Sequence, residues 1–269
     1  MTSRLEGKVA FITGAARGQG RAHAIRLASE GADIIAIDNN KTADTTAYAG
    51  PTPSDLDETA RLVRATGRRI VAREVDVRDF EGLSAAVHDG VAELGRLDIV
   101  VANAGICSAA MSWEISLEQW HETIDTNLTG VFYTAKATVP ILIEQGTGGS
   151  IIVISSAAGL RGMPFVGHYA ASKHGIVGLA RTMANELGSH RIRVNTVHPG
   201  GVNTEMTIPD MSPYLEQYAE TLAPMFMNAL PYTVSEPEDI ADTVAFLASD
   251  ESRHMTGSEV RVDLGILAR

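Results

Sequence analysis

The sequence predicts an α/β fold, with one doubly wound parallel sheet of about seven strands and helices on both faces. Short β-branched runs alternate with amphipathic stretches of helix length along the 269 residues. Several runs, such as FIT and SIIVIS, are apolar at consecutive positions, as strands covered on both faces are. No internal repeat or low-complexity linker interrupts this pattern, so we expect a single domain over residues 1–269.

Seven runs rich in Val and Ile carry the strand prediction. In chain order they are Val9–Thr13, Asp33–Asp38, Ile70–Val75, Asp98–Ala102, Ser150–Ser155, Ile192–Val197 and Glu259–Val262. Parallel strands need long crossover connections, and the segments between these runs have the length of such helices. The helix after the first strand is expected to continue to about Glu30.

Two connections are too long and irregular for simple turns. The first, residues 39–55, separates the second strand from a helix expected to begin near Leu56, and the second runs from about residue 204 to 235. Connections longer than about 12–15 residues in a compact domain are commonly functional lids or disordered segments. We therefore expect both to have a functional role.

The composition narrows the class of partner. Lys and Arg number 22 against 33 Asp and Glu, giving a net charge of −11, and this balance argues against nucleic acid or an anionic membrane. A single cysteine, Cys107, excludes a disulfide framework or a Cys-rich zinc site within one chain, and no histidine spacing suggests another metal site. The first twenty residues lack the apolar segment of a secretory signal, so a cytoplasmic protein acting on a small molecule or another protein is expected.

A glycine-rich turn follows the first strand directly and leads into a helical pattern. Glycines allow a tight turn and close backbone approach, and the free N–H groups of a helix N-terminus bind a pyrophosphate. Three spaced glycines alone are weak evidence for a phosphate-binding turn. The prediction depends on the strand that precedes them and the helix that follows. The residues concerned are Gly14, Arg17, Gly18, Gln19 and Gly20.

Asp38, at the end of the second strand, favours NAD over NADP. A carboxylate there accepts hydrogen bonds from the adenosine ribose and repels a 2′-phosphate. Arg17 argues the other way, since a guanidinium in the glycine turn is able to pair with that phosphate. We weigh Asp38 more heavily because its repulsion acts at short range.

Tyr169 and Lys173 are spaced i and i+4, so a helix places them on one face. With six tyrosines and four lysines in the chain, this spacing arises by chance only about 0.09 times. A neighbouring ammonium is expected to lower the phenol pKa from about 10 and allow proton exchange near neutral pH. Ser155 and Ser156 end the fifth strand, where open α/β sheets bind ligands.

Together these motifs resemble the short-chain dehydrogenase/reductase superfamily across essentially the whole chain. The resemblance is carried by Thr13–Gly20, Asp76-Val77, Asn103-Ala104-Gly105, Asn127, Ser156, the Tyr169/Lys173 pair, and Pro199-Gly200 followed by Thr204. It implies a Rossmann-like fold and a catalytic set of Asn127, Ser156, Tyr169 and Lys173. In that set Tyr169 is the general acid/base, Lys173 lowers its pKa, Ser156 orients the substrate oxygen, and Asn127 supports a water relay.

The resemblance also implies an NAD site beyond the glycine turn. Asp76 and Val77 are assigned to the adenine, and Asn103, Ala104 and Gly105 to the adenosine side. Lys173 binds the nicotinamide ribose, with Tyr169 beside it. Pro199, Gly200, Val202 and Thr204 complete the set, with Val202 or Thr204 at the carboxamide.

The second long loop lies where this superfamily has its substrate lid. Its apolar residues are Met206, Met211, Met225, Phe226 and Met227, and adaptable methionines suit a hydrophobic alcohol better than a sugar or charged acid. Packing of these side chains into a subunit interface is the alternative. The C-terminal strand and tail resemble an edge that associates in the tetramers of this superfamily.

The first long loop supports a finer resemblance. TGAARGQGRAHA, AIDNN and the insert of residues 39–55 are similar to the carveol-dehydrogenase-like, mycofactocin-coupled subgroup. This similarity implies an NAD that is held tightly and reoxidised by a separate redox carrier. A merely longer surface loop is the alternative.

The expected reaction is hydride transfer between NAD and a hydrophobic, cyclic or terpene-like secondary alcohol. An ordinary dehydrogenase or ketoreductase with freely exchanging NAD(H) is the second hypothesis, and a non-catalytic NAD-binding regulator is the third. Cys107 is expected to be a small buried hydrophobe, and Trp113 and Trp120 are expected to be buried against the fold or a neighbouring subunit.

Overall fold

A seven-stranded sheet forms the centre of the protein, as a computed structural model describing residues 3–206 and 208–269 shows. The strands are β1 (Val9–Thr13), β2 (Asp33–Asp38), β3 (Ile70–Glu74), β4 (Ile99–Ala102), β5 (Gly149–Ile154), β6 (Ile192–Pro199) and β7 (Glu259–Val262). Their order is β3-β2-β1-β4-β5-β6-β7, and every neighbouring pair is parallel. The predicted fold class is therefore confirmed.

The sheet is apolar on both faces because consecutive strand residues point to opposite sides. In β1, Val9 and Phe11 enter one apolar core, while Ala10 and Ile12 enter the other. The central strands β2, β4 and β5 repeat this alternation. Strands covered on both faces thus need apolar residues at consecutive positions. For this reason the apolar runs of the sequence predicted the strands.

Eight α-helices are found in the described residues. They are α1 (Gly18–Ser29), α2 (Pro53–Ala65), α3 (Phe80–Leu94), α4 (Leu117–Ile124), α5 (Gly130–Gln145), α6 (Gly167–Leu187), α7 (Ser212–Gln217) and α8 (Pro237–Ala248). Side chains of α1, α2 and α8 fill one core, and those of α3, α5 and α6 fill the other. None of the helices in residues 3–206 and 208–269 is long and apolar enough to cross a membrane.

The element boundaries differ from the predicted ones by two residues or fewer in every strand. The largest extension is in β6, which continues to Pro199 because its last residues still pair with β7. Helix α2 begins at Pro53, and the Asp55 carboxylate accepts a hydrogen bond from Thr52 N at 2.8 Å in its first turn. The loop between β2 and α2 is therefore residues 39–52 rather than 39–55.

A crevice opens between β1 and β4, where the chain order reverses. From β1 the chain builds outward to β3 at one edge, and from β4 it builds outward to β7 at the other. The connections leaving β1 and β4 therefore diverge, and such switch points are where open α/β sheets bind ligands.

Two tryptophans do not have the burial expected of them. Trp113 is 78% exposed and Trp120 is 41% exposed in the single chain. Both flank or belong to α4, whose buried side consists of Thr123 alone, so this short helix offers little of its surface to the core. Trp113 is therefore not buried against its own fold, and its contact with a neighbouring subunit stays a prediction.

His23, in the middle of α1, makes the stability of the fold sensitive to acid. Its ring is fully buried, and neither ring nitrogen has a hydrogen-bond partner among the described residues. Burial lowers the pKa of His23 from 6.5 to about 3, because a charged imidazolium would lose its hydration there. The folded state therefore keeps the ring neutral, whereas the unfolded chain takes up a proton below about pH 6.5.

We expect the free energy of unfolding to fall by about 2 kcal/mol between pH 7.5 and pH 5 through this residue. The contribution is fully present above the unfolded pKa and is lost as the pH falls toward 3. Urea unfolding at several pH values measures it, and His23→Leu should flatten the slope. The exposed His254, changed to Gln, is the control and should keep the wild-type slope. An unchanged slope in His23→Leu would refute this origin of the acid sensitivity.

Candidate active site

Four hydrogen bonds close the floor of the crevice between the ends of β1 and β4. The Thr13 hydroxyl accepts from Asn103 N at 3.0 Å and from Ala104 N at 3.1 Å. The Asn103 amide donates in return to Thr13 O at 2.9 Å and to Gly14 O at 3.1 Å. The loop after β4 is thereby held against the glycine turn.

This close approach explains why glycine is required in the turn. A Cβ on Gly14 would lie 2.8 Å from Ala104 Cα, and one on Gly20 would lie 1.9 Å from Gly14 O. Gly18 has a positive φ of 52° and lies against the Thr204 side chain. The turn leaves the N-terminus of α1 open to the crevice, which is the donor set a pyrophosphate needs.

The crevice is a cavity that collects most of the predicted cofactor residues. Of those, it is lined by Gly14, Arg17, Gly18, Gln19, Gly20, Asp38, Asp76, Val77, Asn103, Ala104, Gly105 and Thr204. Gln19 also has a buried side-chain oxygen, Oε1, without a hydrogen-bond partner. A cavity lined by a phosphate-binding turn and by a carboxylate at the end of β2 fits a dinucleotide such as NAD.

The Asp38 carboxylate is built into the cavity wall. One oxygen accepts a hydrogen bond from Ala16 N at 2.9 Å, and the other accepts from Asn40 N at 3.3 Å. Burial raises the pKa of Asp38, and these backbone donors oppose the rise. Arg17 lines the same cavity, where its charge also opposes the rise in the Asp38 pKa, but its guanidinium donates to the Ala49 carbonyl of the loop. The geometry therefore favours Asp38 as the residue that faces the ribose.

Residues 39–52 fold over the cavity and are fastened at its far side. Glu122 of α4 accepts hydrogen bonds from Asp44 N at 3.0 Å, from Thr45 N at 2.9 Å and from the Thr45 hydroxyl at 2.6 Å. The Arg17 bond to Ala49 O fastens the same segment on the near side. The loop is thus an ordered cover rather than a loose surface excursion.

Lys173 and Tyr169 do not line the cavity themselves, but Lys173 lies next to Gly105, which does. Its ammonium donates to Ile154 O, at the carboxyl end of β5, at 2.8 Å and lies 5.5 Å from the centre of the Tyr169 ring. A Cβ on Gly105 would lie 3.5 Å from Lys173 Nζ and 3.3 Å from Asn127 Oδ1. Lys173 and Asn127 therefore lie beside Gly105, and Tyr169 lies next to Lys173. The i, i+4 spacing of Tyr169 and Lys173 predicts that these two side chains are neighbours.

Burial controls the proton affinities of this pair. It lowers the pKa of Lys173 to about 8. It raises the pKa of Tyr169, and the nearby Ser156 side chain opposes that rise. The expectation that the ammonium lowers the phenol pKa is therefore wrong for the protein alone, because loss of hydration outweighs it.

Ser156 is positioned by a buried histidine. The His198 ring shares a hydrogen bond of 2.8 Å with Ser156 O through Nδ1 and one of 2.7 Å with the Thr196 hydroxyl through Nε2. The Ser156 hydroxyl accepts from Ala158 N at 3.1 Å, which starts the turn leading toward α6. Burial lowers the pKa of His198, so this support is a neutral imidazole.

Asn127 lies in a π-helical turn, Asp125–Thr129, between α4 and α5. Its amide accepts from Ile106 N at 2.8 Å and donates to Ile106 O at 2.9 Å. A further bond of 3.2 Å runs to the Ser172 hydroxyl. The side chain thus holds the loop after β4 in place, and its part in a water relay stays a prediction.

Pro199, Gly200 and Val202 lie at the end of β6, outside the lining of the cofactor cavity. Gly200 N donates to Val262 O at 3.2 Å, and Val202 forms an isolated bridge with Ser235. Their contact with the nicotinamide end therefore stays a prediction.

A third apolar cluster surrounds Tyr169. It joins Cys107 and buried residues of the loop before α6 to Met211 and Phe226 of the predicted lid. Phe165 anchors the lid through stacked rings, with centroids 5.2 Å from Tyr214 and 6.2 Å from Phe226. The cluster is a hydrophobic wall beside the reacting tyrosine.

The other predicted lid residues are placed differently. Met206 lines the cofactor cavity, and Met227 is 54% exposed. The Met225 carbonyl accepts a hydrogen bond from the Arg161 guanidinium. Residue 207, within the predicted lid, lies outside the described residues. In the rest of the chain no cluster of His, Cys, Asp or Glu has metal-binding geometry.

Two polar residues of this region escaped the sequence analysis. Asp210 of the lid accepts from Ala109 N at 2.9 Å, and Tyr48 of the cover accepts from Cys107 N at 3.2 Å. The only available signal was that Tyr48 is the sole aromatic residue of the insert. Asp210 has no comparable signal.

Known proteins resemble this chain over its full length. A family model described as enoyl-(acyl carrier protein) reductase matches residues 14–266. The chain is 47% identical to (-)-trans-carveol dehydrogenase of Rhodococcus erythropolis, over 98% of each protein. The structure of a short chain dehydrogenase from Mycobacterium paratuberculosis bound to NAD shares 55% identity and a TM-score of 0.95, covering 99% of this chain and 100% of that one. Carveol dehydrogenase from Mycobacterium avium in complex with NAD shares 50% identity and a TM-score of 0.94, covering 100% of both chains.

Asp38→Asn should weaken the discrimination between NAD and NADP. The amide keeps an acceptor for Ala16 N but removes the charge that repels a 2′-phosphate, so the affinity ratio should fall about tenfold or more. Fluorescence titration of cofactor-stripped protein with both nucleotides measures the ratio. Glu74→Gln removes a charge from the end of the neighbouring strand and should leave the ratio unchanged. An equal effect of both variants would contradict a specific role for Asp38.

Proposed function

Because this chain belongs to the short-chain dehydrogenase/reductase family and is an NAD-dependent oxidoreductase, we propose that it oxidises a hydrophobic secondary alcohol to a ketone, or runs the reverse reaction. The observation that carries this proposal is the position of Tyr169. Its ring lies 5.5 Å from the Lys173 ammonium, which adjoins Gly105 of the cofactor cavity, and it packs against an apolar cluster. A proton acceptor, a cofactor cleft and an apolar wall thus adjoin one another.

The residues have separate tasks in the proposed reaction. Bound NAD supplies the nicotinamide carbon C4 that accepts the hydride from the carbinol carbon. Tyr169 Oη takes the hydroxyl proton as the hydride leaves. The Ser156 hydroxyl holds the substrate oxygen, and Lys173 with Asn127 passes the proton toward water.

The apolar cluster supports a cyclic or terpene-like alcohol as substrate. Met211, Phe226 and Ile208 from the lid face Cys107 and Tyr169 across it. Burial raises the pKa of the Cys107 thiol, so this residue acts as an apolar side chain rather than a nucleophile. The chain's 47% identity to a carveol dehydrogenase points to the same class of alcohol.

The ordered cover over the cavity supports the proposal that NAD stays bound between turnovers. For NAD to leave, residues 39–52 must give up their bonds to Glu122 and Arg17, and this slows release. A separate redox carrier, as in mycofactocin-coupled enzymes, would then reoxidise it. An ordinary dehydrogenase with exchanging NAD(H) is the alternative.

A pure NAD-binding regulator would have no need of the Ser156, Tyr169, Lys173 and Asn127 set. A cytoplasmic location stays a prediction.

We also propose that the protein is a homo-oligomer, with a tetramer as the expected form. Phe132 and Ile143 are exposed on one side of α5, at 46% and 37%, and Trp113, Leu117 and Trp120 form a second exposed stripe. Large apolar side chains exposed together near one another are typical of a protein interface.

A burst measurement tests the reaction and the captive cofactor together. Protein purified without added cofactor is mixed with a panel of cyclic secondary alcohols, and the absorbance of reduced nicotinamide is followed. We expect a burst of about one equivalent per chain that excess free NAD does not extend and that a soluble redox dye converts into continuous turnover.

Tyr169→Phe is the control for the chemistry. It should retain NAD but give no burst, with turnover at least about 1000-fold lower, because the proton acceptor is lost. Retained turnover in this variant would refute the mechanism. Continuous NADH production by the wild type without dye would instead show that NAD exchanges freely.

The oligomer is tested by light scattering during size-exclusion chromatography. The wild type should elute with the mass of about four chains, and Phe132→Glu should yield smaller species, since burying a charge in an apolar interface is unfavourable. Ala65→Glu, on the exposed side of α2, should not change the mass. A monomeric wild type would contradict the proposal.

A further inference from the structure

Tyr48 connects the cover of the cofactor cavity to the substrate side. It lines the cofactor cavity together with several other residues of the cover, among them Asn39, Lys41 and Thr46. Its hydroxyl, however, lies 3.2 Å from Cys107 N and accepts a hydrogen bond from it. Other hydrogen bonds of the cover join it to Arg17, Asp76 and Glu122, which line the cofactor cavity, and to Glu74 at the end of β3. Tyr48 is therefore the residue through which the cover reaches the wall around Tyr169.

Cys107 belongs to the wall that would contact the substrate. Its side chain is 2% exposed and packs in one cluster with Tyr169, Met211 and Phe226. Its backbone N–H has Tyr48 as its acceptor, and a buried N–H without an acceptor is costly. The position of this stretch of wall thus depends on the Tyr48 hydroxyl.

Three consecutive residues, which we call the 107–109 segment, are each held by a different element. Cys107 N is held by Tyr48 of the cover, and the Ser108 hydroxyl shares a bond of 2.9 Å with the buried His168 of α6. Ala109 N is held at 2.9 Å by Asp210 of the lid. His168 directly precedes Tyr169 in the chain. The segment is where cover, catalytic helix and lid meet.

We propose that Tyr48 is a specificity-determining positioning residue, through which the cofactor cover shapes the alcohol site by fixing the 107–109 segment. The proposal rests on the proposed alcohol oxidation. A cover that only retained NAD would have no effect on the affinity for alcohol. A cover that also positions the substrate wall must influence both, because the same hydroxyl serves the two sites.

Two variants that each remove one hydroxyl from the cover separate these possibilities. Tyr48→Phe deletes the bond to Cys107 N, and Thr45→Val deletes the bond of 2.6 Å to Glu122 on the cofactor side. Each variant is expected to lose NAD faster than the wild type. Steady-state rates with a soluble redox dye and excess NAD then give KM and kcat for an alcohol that the wild type oxidises.

We expect Tyr48→Phe to raise KM for the alcohol about tenfold, because the variant leaves the buried Cys107 N–H without its hydrogen-bond acceptor. The change in kcat should be less than about threefold. Thr45→Val should keep the wild-type KM. Equal KM values in the two variants would overturn the proposal and leave Tyr48 as a simple fastening of the cover.

Amide hydrogen exchange gives a second readout that does not need turnover. In NAD-loaded protein, Tyr48→Phe should speed exchange at the Cys107 amide at least about tenfold, whereas Thr45→Val should not. If the wild type oxidises no alcohol of the panel, the proposed function fails. The exchange experiment still decides the role of Tyr48, and unchanged protection of the Cys107 amide would overturn it.

Discussion

The hydrogen bonds between Thr13 and the Asn103-Ala104 backbone are the constraint on which the site depends. They bring the loop after β4 within van der Waals distance of the glycine turn, so that Gly14 and Gly20 have no room for a Cβ. The same loop continues to Gly105, against which Lys173 and Asn127 lie. The glycine turn and the Lys173 and Asn127 side chains are therefore held in register by one set of hydrogen bonds at the switch point of the sheet.

Burial is the second organising effect, and it acts against the catalytic tyrosine. A desolvated phenol resists ionisation, so the pKa of Tyr169 rises while that of Lys173 falls to about 8. Both shifts disfavour the charged forms that proton transfer uses. Ser156, held through His198, is the neighbour that opposes the rise for Tyr169. The protein thus positions these side chains but does not by itself stabilise their charged forms. Under the proposed function, that stabilisation would come from the bound cofactor and substrate.

The cover, helix α6 and the lid each form a hydrogen bond with the 107–109 segment. The two long loops are therefore linked to each other through this segment. The two loops are distant from each other in sequence, but a side-chain oxygen of each, from Tyr48 and from Asp210, accepts a hydrogen bond from a backbone N–H of one short segment. Under the proposed function, retention of cofactor and recognition of substrate would draw on the same contacts.

The sequence by itself determined the sheet, the glycine turn, Asp38 and the Tyr169/Lys173 pair, because each depends on local spacing. Apolar alternation specifies a strand, and an i, i+4 spacing specifies one face of a helix. Strand ends were predictable to within two residues for the same reason. Only the tertiary structure decided the pKa directions, the exposure of Trp113, the placement of Met206 at the cofactor cavity and of Met211 in the apolar cluster, and the contacts of Tyr48 and Asp210. These depend on what surrounds a side chain after folding, and neighbours that are about 60 or 100 positions apart in the chain leave no periodic trace.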